Sequence, residues 1–114
     1  MSAAKLQQRV AAQAAQAPGN FGDRPVFVSY LFVLPSTQKS RSHRAKRGFD
    51  LAHSTKPDLD KLIRSTNDAL VQGGLIADDS RIVGMMAEKR YAVVGASTGA
   101  KIVVRDMAGD LAGL

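Results

Sequence analysis

Val26-Phe27-Val28-Ser29-Tyr30-Leu31-Phe32-Val33-Leu34 is the stretch on which the fold turns. β-Branched and aromatic side chains favour extended backbone, and hydrophobicity this continuous predicts a strand buried on both faces. Asp23-Arg24-Pro25 leads into it and Pro35 ends it. Upstream, the Ala/Gln-rich residues 3–17 carry Leu6, Val10, Ala14 and Ala17 at helical spacing until Pro18-Gly19 stops the run. So thin an apolar stripe predicts a helix docked lightly on one side. Downstream, Leu59 to Gln72 places Leu62, Thr66, Ala69 and Leu70 on one face, and Gly73-Gly74 supplies a C-terminal stop. Arg81 to Tyr91 alternates Val83, Met85, Ala87 and Tyr91 as on a half-buried strand. Gly95-Ala96-Ser97-Thr98-Gly99 then leads to Lys101-Ile102-Val103-Val104-Arg105, and the pair is expected to form a hairpin. The sum is an α/β protein, one small domain over residues 1–114, with a mixed or antiparallel sheet packed on two helices. Residues 107–114 are expected to fray.

A length of 114 residues gives room for one modest core, and the charge on it is unevenly spread. Residues 36–64 hold eight Lys/Arg against three Asp, +5 of the chain's formal +6. Within them the stretch 36–55 is polar, basic and aperiodic, and loops that long in compact domains are usually functional or disordered. Lys39, Arg41, Arg44, Lys46 and Arg47 suit a polyanion, although a solvated basic surface would read the same way. The absence of cysteine excludes disulfides and thiolate metal sites. His43 and His53 lack zinc-ligand spacing and fit solvent or phosphate contact better. No apolar run approaches the roughly 20 residues of a membrane helix. The alanine-rich start, with Lys5 and Arg9, lacks the serine content of a transit peptide, which leaves a cytosolic compartment as the expectation.

Two motifs bear on chemistry. Gly95 to Lys101 superficially resembles a phosphate-binding loop. Its glycines are one residue too close, Ala100 precedes Lys101, no Ser/Thr follows, and Ile102-Val103-Val104 prefers a strand. A turn explains it better. The other motif is four aspartates framing one helix, with Asp58 and Asp60 at its start and Asp78 and Asp79 beyond its end. Each pair alone reads as helix-start or turn chemistry. Converging carboxylates repel unless a cation sits among them, and an all-oxygen set points to Mg²⁺ or Mn²⁺. Residues two apart on a helix diverge by roughly 200°, so Asp58 and Asp60 can converge only with Asp58 extended and Asp60 on the first turn. Pro57 favours that start. Arg64 and Asp68, four apart, could pair across one turn.

Asp58-Leu59-Asp60-Lys61-Leu62, then Asp68-Ala69-Leu70, then Gly74-Leu75-Ile76-Ala77-Asp78-Asp79-Ser80-Arg81-Ile82-Val83 closely resembles the RusA-type Holliday junction resolvases. The family pattern is D-L-D-[NK]-L, D-A-L, an apolar stretch, then D-D-x-[QR]-[VI]. Spacing and residue type agree over about twenty-five residues, and Lys89-Arg90-Tyr91 matches a lysine-bearing strand found in phage-type members. With the weaker strand and basic loop, the likeness covers roughly residues 3–106.

The resemblance implies a small homodimeric endonuclease that cuts four-way DNA junctions symmetrically with Mg²⁺, Mn²⁺ being a possible substitute. It places the three catalytic carboxylates at Asp58, Asp60 and Asp79, and an auxiliary metal-site acid at Asp78. The family's lysine four residues after the second aspartate is Arg64 here, and Lys61 or Lys89 is an alternative ammonium. Lys56 and Lys61 join the basic loop as expected DNA contacts. Family members usually begin with a proline-rich segment and a strand ahead of the first helix. This chain starts at that helix, so the expectation is either a truncated start or a shortened variant whose open sheet edge a partner completes. The rival expectation is a catalytically impaired branched-DNA-binding protein on the same scaffold.

Overall fold

The computed structural model describes residues 3–35, 58–92 and 97–107. The basic stretch 36–55, Lys56 and residues 108–114 lie outside them. Along the chain the elements are helix α1 (Ala3–Ala15), strand β1 (Val26–Leu34), helix α2 (Leu59–Gln72), a 3-10 turn (Asp79–Arg81), and strands β2 (Ile82–Tyr91) and β3 (Gly99–Asp106). Both helices keep the faces predicted for them.

β1 is the centre of a three-stranded mixed sheet ordered β2-β1-β3. It pairs in parallel with β2, from Val26 beside Ile82 to Leu34 beside Tyr91, and antiparallel with β3, from Val26 beside Asp106 to Val33 beside Gly99. The expected β2–β3 hairpin is therefore wrong. β1 lies between the two strands, and Tyr91 and Gly99 stand two strand spacings apart, about 9.6 Å. A tight hairpin cannot span that gap, and the most apolar strand takes a hydrogen-bonded neighbour on each side instead.

Burial alternates strictly along β1. Val26, Val28, Tyr30, Phe32 and Leu34 are buried, and the residues between them are half-buried. The helices cover one face only, which corrects the expectation of two-sided burial. Leu6 and Val10 from α1, and Leu62, Ala69 and Leu70 from α2, complete the core against β1. At about 25 cal/mol per Å² of apolar area, this shared face dominates the stability of so small a domain. β2 is less protected than its alternation suggests, with Val83 and Met85 55% and 48% exposed. The helix layer is centred on β1, and Val83 falls where the β1–β2 register shifts. Both β2 and β3 are edge strands among the described residues. Met107, just past β3, donates its N–H to the Pro25 carbonyl at 2.9 Å.

The two helices meet at close range. Gly73 ends α2 with ordinary backbone angles (φ −78°, ψ −4°), donating to the Ala69 carbonyl at 2.8 Å. A Cβ there would stand 2.6 Å from both the Ala11 carbonyl oxygen and the Ala14 methyl. α1 thus docks tightly through small residues, although its apolar stripe is thin. Gly73→Ala is expected to lower stability by about 1–3 kcal/mol in denaturant titration, since backbone and methyl must both retreat. Gly19→Ala, where a Cβ meets nothing within 4 Å, is the matched control and should stay within about 0.5 kcal/mol.

Candidate active site

The start of α2 has the geometry that convergence demands. Asp58 is extended (φ −67°, ψ 143°) and Asp60 sits in the first helical turn, which removes the divergence of a regular helix. Asp58 occupies the N-cap position, yet its carboxylate makes no capping hydrogen bond. Its ion-pair partner is the Lys61 ammonium at 3.8 Å, with both side chains more than half exposed. So loose a surface pair contributes about 1 kcal/mol at most. The capping account of Asp58 therefore fails, and its oxygens face solvent. Asp60 and Arg64 are also exposed, one turn apart on the same helix. Arg64 makes no ion pair with Asp68 among the described residues, so that bland account of both side chains fails too.

The second acid pair is divided between two tasks. Asp78 (φ −160°, ψ 153°) caps the 3-10 turn, its carboxylate accepting the Ser80 N–H at 3.1 Å. Hydrogen bonding from Ser80, through its side chain and then its backbone, holds the Asp78 carboxyl below the usual aspartate range. Asp79 opens the turn and is exposed. Behind the pair the chain is pinned to the start of β1. The Ala77 N–H donates to the Gly22 carbonyl at 3.0 Å, and Ile82 pairs with Val26.

Among the described residues, no three acidic or histidine side chains gather closely enough to hold a metal ion. The physical reason is connectivity: one pair belongs to the start of α2, and the other is fastened beyond its end to the strand layer. Lys89 lies on β2 in register with Phe32, half-buried on the helix-bearing side of the sheet. Lys61 is exposed beside Asp58. The other expected DNA contacts, Lys39, Arg41, Arg44, Lys46, Arg47 and Lys56, lie outside the described residues.

One contact that orients this region gave no signal in the sequence. The Tyr30 hydroxyl of β1 donates to the Asn67 side-chain oxygen of α2 at 2.5 Å. Burial pushes the Tyr30 phenol up to about 12 against the opposing effect of that bond. The bond ties the middle of α2 to the middle of β1 and so sets where the start of α2 stands. Only the pairing of a strand tyrosine with an asparagine beside a helical apolar stripe could have hinted at it.

The class so defined is a small basic α/β domain with exposed carboxylates at the starts of one helix and one 3-10 turn. The sequence profile of the family described as endodeoxyribonuclease RusA matches residues 1–105, and the chain belongs to that family. Membership makes it an endodeoxyribonuclease of the Holliday junction-resolving kind, a family that binds branched DNA. No curated protein matches the chain. No described helix is long and apolar enough to cross a membrane.

The cap at Asp78 is separable from the chemistry. Asp78→Ala should speed amide exchange at Ser80, whereas Asp78→Asn, which keeps an acceptor oxygen, should preserve the protection. In the unaltered protein the carboxylate's contribution is full above the usual aspartate range. It is lost as pH falls through the lowered value, and hydrogen exchange followed by NMR reads that loss directly.

Proposed function

We propose that this chain is a Mg²⁺-dependent resolvase of four-way DNA junctions, acting in recombination and repair as a homodimer. What supports the reading is family membership, the resemblance of Asp58, Asp60 and Asp79 to the carboxylates of the family pattern, and an Asp58 side chain that makes no capping hydrogen bond at the start of α2. Mg²⁺ keeps several waters and needs only one or two protein carboxylates beside substrate phosphate oxygens. The exposed pair Asp58 and Asp60 would meet that demand; Asp79, which the resemblance makes the third ligand, does not gather with them in the single chain, and Asp78 would be auxiliary. The ion, for which Mn²⁺ would substitute, supplies a more acidic water and neutralises charge on the phosphoryl oxygens. Arg64, or Lys89 from the sheet, would contact the scissile phosphate as its charge develops. Lys39, Arg41, Arg44, Lys46, Arg47, Lys56 and Lys61 would grip neighbouring phosphates, which positions DNA without reading sequence. Two equivalent cuts require two sites, and a two-fold substrate is matched by a two-fold dimer.

A second reading keeps the binding and drops the turnover. Arginine at position 64 is a poor proton donor, and the acid pairs are not gathered in the single chain. Mg²⁺-dependent nicking of a synthetic four-way junction separates the two readings.

Asp60→Asn is expected to abolish cleavage while junction binding stays level or tightens slightly, because a metal ligand and a negative charge near DNA both disappear. Gel assays of binding and cutting on one junction check both halves, and substantial residual Mg²⁺-dependent cutting would sink the assignment. Arg64→Lys distinguishes two roles. If Arg64 only clamps phosphate, lysine loses the bidentate contact and single-turnover cleavage falls or stays level. If the position transfers a proton, lysine raises the rate severalfold with little change in affinity. The electrostatic role is the expected one, since an arginine beside a metal site commonly serves as a phosphate clamp.

A further inference from the structure

The face of the sheet that the helices leave open carries a pattern that matches itself. Register assigns its side chains to four rows across β2, β1 and β3. Gly84, Phe27 and Arg105 form one row, and Met86, Ser29 and Val103 the next. Glu88, Leu31 and Lys101 form the third, and Arg90, Val33 and Gly99 the last. The two middle rows border an open depression of about 510 Å³. Met86 and Val103 are 69% and 48% exposed there, and Phe27, Leu31 and Val33 are only half-buried.

Consider a second copy laid face to face on this sheet, with a two-fold axis running along β1 between them. That operation puts β2 of one copy over β3 of the other and keeps each row on its own level. Gly84 then faces the arginine at 105, which already lies over the Phe27 ring at 5.2 Å from its centroid. Met86 faces Val103, apolar on apolar. Glu88 faces Lys101, acid on base, and Arg90 faces Gly99. Leu31 and Val33 meet their own copies at the axis. Both flanking arginines meet a glycine, and the acid meets a base twice by symmetry. Sheets pack face to face at about 10 Å and within about 30° of alignment, so such rows stay in reach.

Nucleic acid fits this face less well. Its centre is apolar, and the Glu88 carboxylate, held by the Arg90 guanidinium at 2.5 Å, would stand against a phosphate backbone. From this self-complementarity we infer that the open face of the sheet is the dimer interface, with Glu88 of each copy paired to Lys101 of the other around a Met86, Val103 and Leu31 centre. The inference rests on the dimeric reading above and specifies the surface that reading uses. It also accounts for the hydrophobicity of β1 on the side the helices do not reach.

Self-association measured by sedimentation equilibrium on the full chain tests it. Glu88→Lys and Lys101→Glu, both at exposed positions, should each weaken dimerisation at least tenfold. The double variant should recover to within about threefold of the parent, because the swapped charges face each other again. Met86→Asp, at the most exposed apolar position, should weaken the dimer by a comparable factor, and circular dichroism should stay native throughout. A dimer that none of these changes weakens would place the interface elsewhere and leave the dimeric resolvase standing. A chain that is monomeric at tens of micromolar would overturn both readings. A Lys101→Glu variant that loses junction affinity but not self-association would overturn the inference in favour of DNA on this face.

Discussion

β1 holds the molecule together because it is satisfied in three directions at once. Its backbone is hydrogen-bonded to β2 on one side and β3 on the other, and its alternate side chains lie beneath both helices. Phe32 and Val28 are fully buried, and Tyr30 adds a polar tie to Asn67 at the centre of the same face. Truncating a side chain on that face leaves a cavity bounded by a sheet that cannot move inward and two helices pinned to each other at Gly73. Relaxation is then limited and each lost methylene is felt in full.

That arrangement also decides where chemistry can stand. α2 is the crossover that a parallel β1–β2 pair requires, so its two ends serve different regions of the sheet. Thr66, buried in its middle, returns its hydroxyl to the Leu62 carbonyl at 2.8 Å, which satisfies the one polar side chain of the buried helical face. With its centre fixed, the helix can present Asp58, Asp60, Lys61 and Arg64 on its first turns without any of them supporting the core. The 3-10 turn plays the matching part for Asp79. Asp78 caps that turn through Ser80, while Arg81 behind it reaches the Asp23 carboxylate at 3.9 Å. Rigid elements thus carry exposed acids at their starts, outside the face that packs on the sheet.

What the sequence revealed follows from which interactions are local. The apolar stripe of α2 was readable to the residue, because Leu62, Thr66, Ala69 and Leu70 recur with the period of a helix, and burial obeyed that period. The ends of β1 were marked by Pro25 and Pro35. The partner of each strand was not readable. Hairpin signals concern only neighbours in sequence, whereas β2 and β3 are each drawn to the strand with the most apolar surface to cover. Asp58 and Asp60 were found because backbone angles at a proline-led helix start are local. Whether they meet Asp79 is a matter of long-range placement, and among the described residues no three of the acids gather. The Tyr30–Asn67 bond spans 37 residues and belongs to the same unreadable class.

The mismatch between the composition of β1 and its surroundings is itself informative. A strand with one solvated face usually alternates apolar and polar residues, because outward apolar side chains gain nothing in the monomer and invite edge or face association. Here Phe27, Leu31 and Val33 point away from the helices and only Ser29 is polar on that side. Two flanking strands cannot bury them, since strands cover a neighbour's edges and not its face. Among the described residues no further layer lies over that face, and one that suited it would match an apolar centre with an acid on one flank and a base on the other. A surface holding both members of the ion pair at equal height from its central strand can supply that layer from a second copy of itself. Two active sites related by the same axis would then be a by-product of covering one hydrophobic strand.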